Sequence, residues 1–221
     1  HTRLVRDWSS DVCSSGLRRN AERGCRAVCF SEIPPNLGRP SVHTDYWDPF
    51  FAACQDTGTV VCMHIGSSSK MPATSSDAPP AVAASLSFNN AMASLTDFLF
   101  SGVLVRFPTL KLAYSEGQIG WLPYLLERVD DVWREHRAWG GVSDIVPEPP
   151  STYYYRQVFG CFFRDRHGLD SLDAVGVDNI TFETDYPHTD STWPHSRQAA
   201  EDMMGHLPAD VVWKIVRGNA A

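Results

Sequence analysis

The sequence predicts an α/β fold built around a parallel sheet. Short apolar runs alternate along the chain with segments of helical periodicity, and this order is typical of strands joined by crossover helices. The runs are apolar throughout rather than at every second residue, as expected of strands that are covered on both faces. These two observations predict five strands, at residues 27–31, 59–64, 110–115, 157–163 and 180–184.

Helical patterns occupy the segments that separate and follow these strands. Asp48 and Pro49 begin the first pattern, and both residue types favour a helix start. A strongly amphipathic stripe runs through residues 121–138, with leucine, valine and tryptophan on one face. The five predicted helices cover residues 48–57, 86–105, 121–138, 169–175 and 208–218.

Polar side chains stand where nearly every predicted strand ends. They are Glu32, His64, Glu116, Arg164 with Asp165, and Asp185. Five strand–helix units fall short of the eight that close a (β/α)₈ barrel, so the chain is either an open sheet or the C-terminal part of a barrel. Barrel enzymes keep their active sites at the carboxyl ends of their strands. The placement of the polar residues therefore favours a partial barrel.

The composition indicates which kinds of partner the chain could bind and where in the cell it is expected. The chain has 221 residues, 43% of them hydrophobic, and a formal net charge of -7. A single domain with a sizeable core is expected, and the acidic balance argues against nucleic-acid binding. No apolar run approaches the roughly 18 residues of a membrane span, and residues 1–20 lack a secretory signal. Six cysteines without a CxxC pair predict reduced, packed thiols and a cytoplasmic location.

His64 and Asp185 are the candidate metal ligands, because a neutral imidazole and a carboxylate both bind first-row divalent ions. Each residue also has a simpler interpretation on its own. His64 could be a satisfied loop histidine, and Asp185 could cap the turn that follows its strand. Their equivalent positions at strand ends favour a shared pocket, which strengthens the metal interpretation.

Three segments carry a resemblance to a known family. They read CMHIGSSS at 62–69, FPTLKLAYSEGQIGWLPYLLERVD at 107–130 and FETDYPHTDSTWP at 182–194. In this order they resemble the amidohydrolase-related superfamily, in the branch that contains aminocarboxymuconate semialdehyde decarboxylase and the resorcylate-type decarboxylases. The resemblance implies a metal-dependent (β/α)₈ barrel of which this chain supplies strands four to eight. It matches His64 to the metal-binding histidine after the fifth strand and Asp185 to the aspartate after the eighth.

The resemblance also predicts how the chain is organised. The family's first-strand ligands have no counterpart here, so we expect an N-terminally truncated barrel. Residues 1–18 lack apolar periodicity and resemble translated sequencing-adapter sequence. We therefore expect them to be a non-native or disordered segment that does not pack on the fold. Residues 19–221 are then the C-terminal part of the barrel.

The function that follows is a metal-dependent hydrolase acting on a small organic acid, cyclic amide or ester, with zinc as the expected divalent ion. Asp185 and Glu116 are the candidate catalytic residues, and Ser67, His188 and Trp193 are candidates for substrate binding. His188 could equally be a loop histidine bonded to backbone, and Glu116 could equally pair with an arginine and be structural.

Alternatives remain open at this stage. The related decarboxylases carry a histidine where this chain has Glu116, and this difference counts against decarboxylation. A carboxy-lyase acting on a small aromatic or unsaturated acid is therefore the first alternative rather than the main function. A non-catalytic barrel fragment with a binding role is the second. The expected partner is a small-molecule substrate, with no nucleic acid and no membrane, and a homo-oligomer is compatible with the sequence.

Overall fold

A computed structural model describes residues 10–221, with side chains from residue 14 onward. The five predicted strands are all present. They are Ala27–Phe30 (β1), Val60–His64 (β2), Leu112–Ser115 (β3), Val158–Phe162 (β4) and Ile180–Phe182 (β5). Every neighbouring pair is parallel, and the sheet order is β1-β2-β3-β4-β5, so the predicted sequential parallel sheet is confirmed.

Helices fill the connections between the strands. They are Ser10–Glu22 (α1), Asp48–Thr57 (α2), Pro80–Ser85 (α3), Asn89–Phe100 (α4), Val103–Arg106 (α5), Leu122–His136 (α6), Pro150–Gln157 (α7), Arg166–Asp170 (α8), Leu172–Val175 (α9), Ser196–Met204 (α10) and Ala209–Val216 (α11). Three short 3₁₀ helices lie at Pro34–Leu37, Val177–Asn179 and Gly218–Ala220.

The helix predicted at residues 86–105 is divided by Gly102. This glycine has a φ of +76°, and a Cβ atom there would lie 2.7 Å from Ile145 Cγ2. A left-handed conformation and a close neighbour both favour glycine. The chain therefore turns between α4 and α5 instead of continuing as one helix.

The two faces of the sheet differ in how deeply their side chains are buried. Alternate residues such as Val61, Met63 and Leu112 are fully buried under the helices, whereas their neighbours Cys62 and Ala113 are only partly buried. The continuous apolar runs had predicted burial on both faces. Among the described residues the core lies on the helix side, and the opposite face is half-exposed because β1 and β5 remain open edges that do not pair with each other.

The expectation that residues 1–18 do not pack on the fold is wrong for residues 10–18. They lie in α1, which packs against α2, and the Leu17 side chain is 8% exposed within the hydrophobic core. Periodicity missed this helix because Leu17 is the one buried side chain among residues 14–22. Trp8, the other residue by which the expectation could be judged, lies outside the described residues. The domain boundary at residue 19 and the non-native origin of the segment stay predictions.

Two further features bear on the sequence expectations. None of the described helices is long and apolar enough to cross a membrane. Five of the six cysteines, Cys25, Cys29, Cys54, Cys62 and Cys161, are free thiols, and the side chain of Cys13 lies outside the described part of the chain.

The packing of α1 can be tested at Leu17. We expect Leu17→Ala to lower the free energy of unfolding by about 2 kcal/mol or more, because it removes a buried side chain and leaves a cavity. Leu37→Ala is the matched control, since Leu37 is 44% exposed. Urea denaturation followed by circular dichroism measures both changes. Equal, small effects of the two substitutions would show that α1 does not pack on the protein.

Candidate active site

The turn after β3 places Glu116 at the carboxyl edge of the sheet. Glu116 and Gln118 have φ values of 59° and 56°, a left-handed conformation that costs non-glycine residues roughly 1 kcal/mol or more. Hydrogen bonds hold the turn at both ends. The Glu116 amide donates to Glu183 Oε1 at 2.7 Å, and the amides of Ile119 and Gly120 donate to Asp165 Oδ2 at 2.7 and 2.6 Å.

Strand pairing brings His64 to the same turn. His64 is the register partner of Ser115, the residue before Glu116. Its Nδ1 atom lies 2.6 Å from the carbonyl oxygen of Ile65, and its Nε2 atom lies 2.6 Å from Glu116 Oε1. Nδ1–H donates to the carbonyl, so the second contact needs another proton, either on Nε2 or on the Glu116 carboxyl. The pair therefore holds a proton at this edge.

The loop after β5 supplies the third and fourth groups. Asp185 also has a left-handed φ, of 54°, and the His188 amide donates to the Asp185 carbonyl at 2.9 Å. This short turn brings His188 Nδ1 to 2.9 Å from Asp185 Oδ1 and to 3.8 Å from Glu116 Oε1. The carboxylates of Glu116 and Asp185 are each 10% exposed, whereas His188 is 61% exposed. Two carboxyl groups with little exposure thus meet one imidazole that faces solvent.

Glu116, Asp185 and His188 form a group that could hold a metal ion. One donor atom from each lies within 4.8 Å of the others. Two carboxylates and an imidazole suit a divalent first-row ion, and three protein ligands are typical of a catalytic site. His64 contacts this group through Glu116 but does not belong to it. The residues present therefore fit a divalent ion, through His188 as well as the predicted Asp185.

Burial and neighbouring charges shift the pKa values of three of these groups. Burial raises the pKa of the Glu116 carboxyl; His64 opposes this change, and a hydrogen bond and negative charge from Asp185 add to it. Burial likewise raises the pKa of Glu183. Burial lowers the pKa of His64, but the hydrogen bond to Ile65 and the carboxylates of Glu116 and Glu183 raise it more, so the net pKa is above the ordinary value.

A cavity of 520 Å³ opens in front of these groups. Ile65, Phe88 and Phe163 give it apolar walls, and Gln118 and Arg164 add polar ones. The oxygen Gln118 Oε1 is buried, and no donor among the described residues reaches it. A second cavity, of 410 Å³, lies at the β1 edge and is mostly apolar.

A sequence model described as amidohydrolase matches residues 2–221. The chain belongs to the amidohydrolase family. No match was found among curated proteins.

Solved structures of this family share the fold at low sequence identity. An amidohydrolase from Mycobacterium avium subsp. paratuberculosis aligns with a TM-score of 0.75 and 20% identity, covering 94% of this chain and 53% of that one. The 5-carboxyvanillate decarboxylase of Sphingomonas paucimobilis aligns with a TM-score of 0.76 and 17% identity, over 96% and 62% of the two chains. This amidohydrolase chain thus spans about half to two thirds of these relatives, which agrees with a partial barrel.

A third relative was solved with a metal. The dihydroxybenzoic acid decarboxylase of Polaromonas, with bound manganese and the inhibitor 2-nitroresorcinol, aligns with a TM-score of 0.69 and 18% identity, over 96% and 64% of the two chains.

Two of the three residues predicted to bind substrate, Ser67 and Trp193, do not line the 520 Å³ cavity. Ser67 Oγ accepts a hydrogen bond from the Glu32 amide at 2.9 Å, which ties the loops after β1 and β2 together. Trp193 is 60% exposed and packs edge-on against Tyr186, with ring centroids 5.1 Å apart. His188 lines the cavity as predicted. The substrate-binding roles of all three stay predictions.

Other strand-end residues stabilise the loops. Glu32 is 2% exposed, and its Oε1 accepts from Gly66 N, Ser68 Oγ and Asn90 Nδ2, each at 3.0 Å. Asp165 caps α8 by accepting from the Gly168 amide.

Sequence reasoning gave no role to Glu183 or Gln118. For Glu183 a signal existed: it lies two residues after Thr181, on the face of β5 opposite to buried Ile180.

The raised pKa of Glu116 predicts a pH-dependent stability of the metal-free chain. A group whose pKa is raised binds more protons in the folded than in the unfolded state. Its stabilisation is therefore present below the unfolded pKa, near 4.5, and is lost as pH rises through the folded value. We expect the stability of the wild type relative to Glu116→Gln to fall as pH rises above about 4.5.

Urea denaturation in the presence of a chelator measures this difference. Glu127→Gln, at an exposed position on α6, is the control and should run parallel to the wild type. A Glu116→Gln curve parallel to the wild type as well would mean that Glu116 titrates as an ordinary exposed carboxylate.

Proposed function

We propose that this protein is a metal-dependent hydrolase whose substrate is a small organic acid, cyclic amide or ester. One observation carries the proposal: Glu116 and Asp185 meet His64 and His188 at the carboxyl edge of the sheet, beside a 520 Å³ cavity. A carboxyl group such as that of Glu116, whose pKa is raised by burial and which contacts an imidazole in a cleft, is typical of catalytic sites. Because the chain spans only part of its solved relatives, the activity is proposed for the whole protein.

Asp185 and His188 are the proposed ligands of a divalent ion, with His64 the further ligand that the family resemblance implies. When bound, such an ion acidifies a bound water molecule or polarises a carbonyl or carboxylate oxygen. Zinc was the expectation from the sequence, but the Asp185 carboxylate also suits harder ions such as manganese. Manganese is bound in a 5-carboxyvanillate decarboxylase and a dihydroxybenzoic acid decarboxylase of the same fold.

Glu116 is the proposed proton carrier. Its carboxyl is 10% exposed, its pKa is raised by burial, and it contacts His64 Nε2 at 2.6 Å. A carboxyl group whose pKa lies closer to neutrality exchanges protons more effectively as a general acid or base. Asp185, adjacent to it, stabilises the protonated form of Glu116 through a hydrogen bond.

Arg164 and Gln118 supply the proposed substrate contacts. The Arg164 guanidinium lies on the cavity wall, where it donates to the Ser191 carbonyl at 3.1 Å and keeps further donors for a carboxylate. The buried oxygen of Gln118 lacks a donor among the described residues and offers an acceptor to a substrate hydroxyl or N–H group. Phe88 and Phe163 give the cavity the apolar walls that a small ring requires.

Decarboxylation is the second candidate reaction. It is favoured by the raised pKa of Glu116, because a carboxy-lyase must deliver a proton to the carbon that loses carbon dioxide. Decarboxylases of aromatic acids are among the proteins of similar fold.

We also propose a cytoplasmic location for the protein, which is the location expected from its cysteines.

Metal binding tests the ligand assignment. We expect Asp185→Asn and His188→Ala each to weaken Mn²⁺ affinity by more than roughly 10-fold, since each removes a donor. His206→Ala, at an exposed position after α10, is the matched control. Isothermal titration calorimetry at neutral pH measures all the variants. Unchanged affinity in His188→Ala with a loss in His64→Ala would assign the imidazole ligand to His64 instead.

The reaction itself is tested with Glu116→Gln. We expect this variant to keep its metal within a few-fold and to lose activity by roughly 10²–10⁴-fold, because the amide cannot carry a proton. Incorporation of ¹⁸O from labelled water identifies hydrolysis of lactones and cyclic amides, and carbon dioxide release identifies decarboxylation of aromatic acids. Loss of metal from Glu116→Gln would make Glu116 a ligand, and full activity would remove it from the mechanism.

A further inference from the structure

Glu183 lies behind the active-site turn rather than in it. Its amide donates to the Phe162 carbonyl at 2.9 Å, which extends the pairing of β4 and β5 by one residue. Its side chain leaves β5 on the half-exposed face of the sheet, opposite to buried Ile180. From there the carboxylate oxygen Oε1 accepts the Glu116 amide at 2.7 Å. One side chain of β5 thus reaches the turn that follows β3.

The Glu116 amide needs such an acceptor. A left-handed φ at a non-glycine residue persists only where the surroundings hold it, and Glu116 and Gln118 both have this conformation. The far end of the turn is held by Asp165, and its middle by Trp121, whose indole donates to the Gly117 carbonyl at 2.7 Å. Among the described residues, the Glu183 carboxylate is what holds the near end, at Glu116 itself.

The conformation of Glu116 decides where its side chain points. With its amide held by Glu183, the carboxyl group lies 2.6 Å from His64 Nε2 and 3.8 Å from His188 Nδ1. In an ordinary right-handed or extended conformation the Cα–Cβ bond leaves the turn in another direction, which carries the carboxyl group away from both imidazoles.

We propose that Glu183 is a positioning residue for Glu116. By accepting the Glu116 amide it fixes the left-handed turn and so directs the Glu116 carboxyl to the two imidazoles and to Asp185. The proposal rests on the proposed function, in which Glu116 carries the proton, but the contact itself can be measured without any substrate.

The chemistry of the side chain explains why it is a glutamate. A carboxylate offers several acceptor positions, and Glu183 uses them for two donors, the Glu116 amide and the Cys161 thiol. A glutamine keeps one acceptor oxygen with the same reach, whereas a leucine of similar size keeps none. Glu183→Gln should therefore preserve the turn, and Glu183→Leu should release it.

Amide hydrogen exchange on the whole 221-residue chain tests the contact. In Glu183→Leu we expect exchange of the Glu116 amide to accelerate by about 10-fold or more, since it loses its acceptor. Exchange of the β3 amides of Ala113 and Tyr114 should stay unchanged, and Glu183→Gln should remain within about 3-fold of the wild type at Glu116. Thr181→Val is the matched control, because it removes a polar group from the same face of β5 without touching the turn.

Mn²⁺ titration of the same variants separates the positioning of Glu116 from metal binding. We expect Glu183→Leu and Glu183→Gln, like Glu116→Gln, to bind Mn²⁺ within a few-fold of the wild type, because a displaced Glu116 leaves the proposed ligands Asp185 and His188 in place. Failure of every variant, wild type included, to bind Mn²⁺ would contradict the proposed function, and the exchange data would still decide the positioning role.

Two results would overturn the positioning proposal. One is an unchanged Glu116 exchange rate in Glu183→Leu, and the other is acceleration spread equally over β3 and β4, which would make Glu183 a general stabiliser. If Glu183→Leu fails to fold, Glu183→Ala provides the same measurement, because it also removes the acceptor, and Glu183→Gln remains the reference that keeps it.

Discussion

The parallel pairing of the five strands is the constraint on which the rest of the structure depends. Because β1 to β5 all run in one direction and pair in sequential order, their carboxyl ends meet at one edge. The register places His64 beside Ser115, and the following residue is Glu116. The pairing of β4 with β5 likewise brings Glu183 close enough to bond the Glu116 amide. Residues far apart in sequence share a site for this reason.

The site brings three acidic side chains close together in surroundings with little solvent. Glu116 and Asp185 are each 10% exposed and lie close together, and Glu183 stands behind them. Like charges held in such surroundings cannot all ionise without compensation, which a proton, an imidazolium or a divalent ion can supply. Burial raises the pKa values of Glu116 and Glu183, and a backbone hydrogen bond and the neighbouring carboxylates raise that of His64, so all three groups hold protons more readily than they would in water. This same feature makes the group suitable for a cation.

The loops around the site are held by side-chain acceptors. Asp165 binds three backbone amides and Glu32 organises the loop after β2, while neither reaches the cavity. Their positions at strand ends made both look like site residues in the sequence. A carboxylate in such a loop serves either the substrate or the backbone, and burial together with the donors it contacts distinguishes the two. Asp165 accepts from backbone amides, and Glu32 accepts from the Gly66 amide and the side chains of Ser68 and Asn90, so both roles are structural.

The sequence by itself determined the fold class, the five strands and their parallel order, because apolar runs and helical periodicity are local properties of the chain. It also determined the family and the strand-end positions of His64, Glu116 and Asp185. The sequence did not reveal α1, because Leu17 is the one buried side chain among residues 14–22. It also did not reveal that one face of the sheet is half-exposed, because this depends on which strands pair.

The tertiary structure alone decided how the site residues meet. It joined Glu116 to His64 and Asp185 to His188, kept Ser67 and Trp193 away from the cavity walls, and placed Glu183 behind the turn. The physical reason is that these contacts depend on the left-handed turns at Glu116 and Asp185. Such conformations cost energy locally and exist only because distant side chains stabilise them, so the residues that adopt them give no local signal.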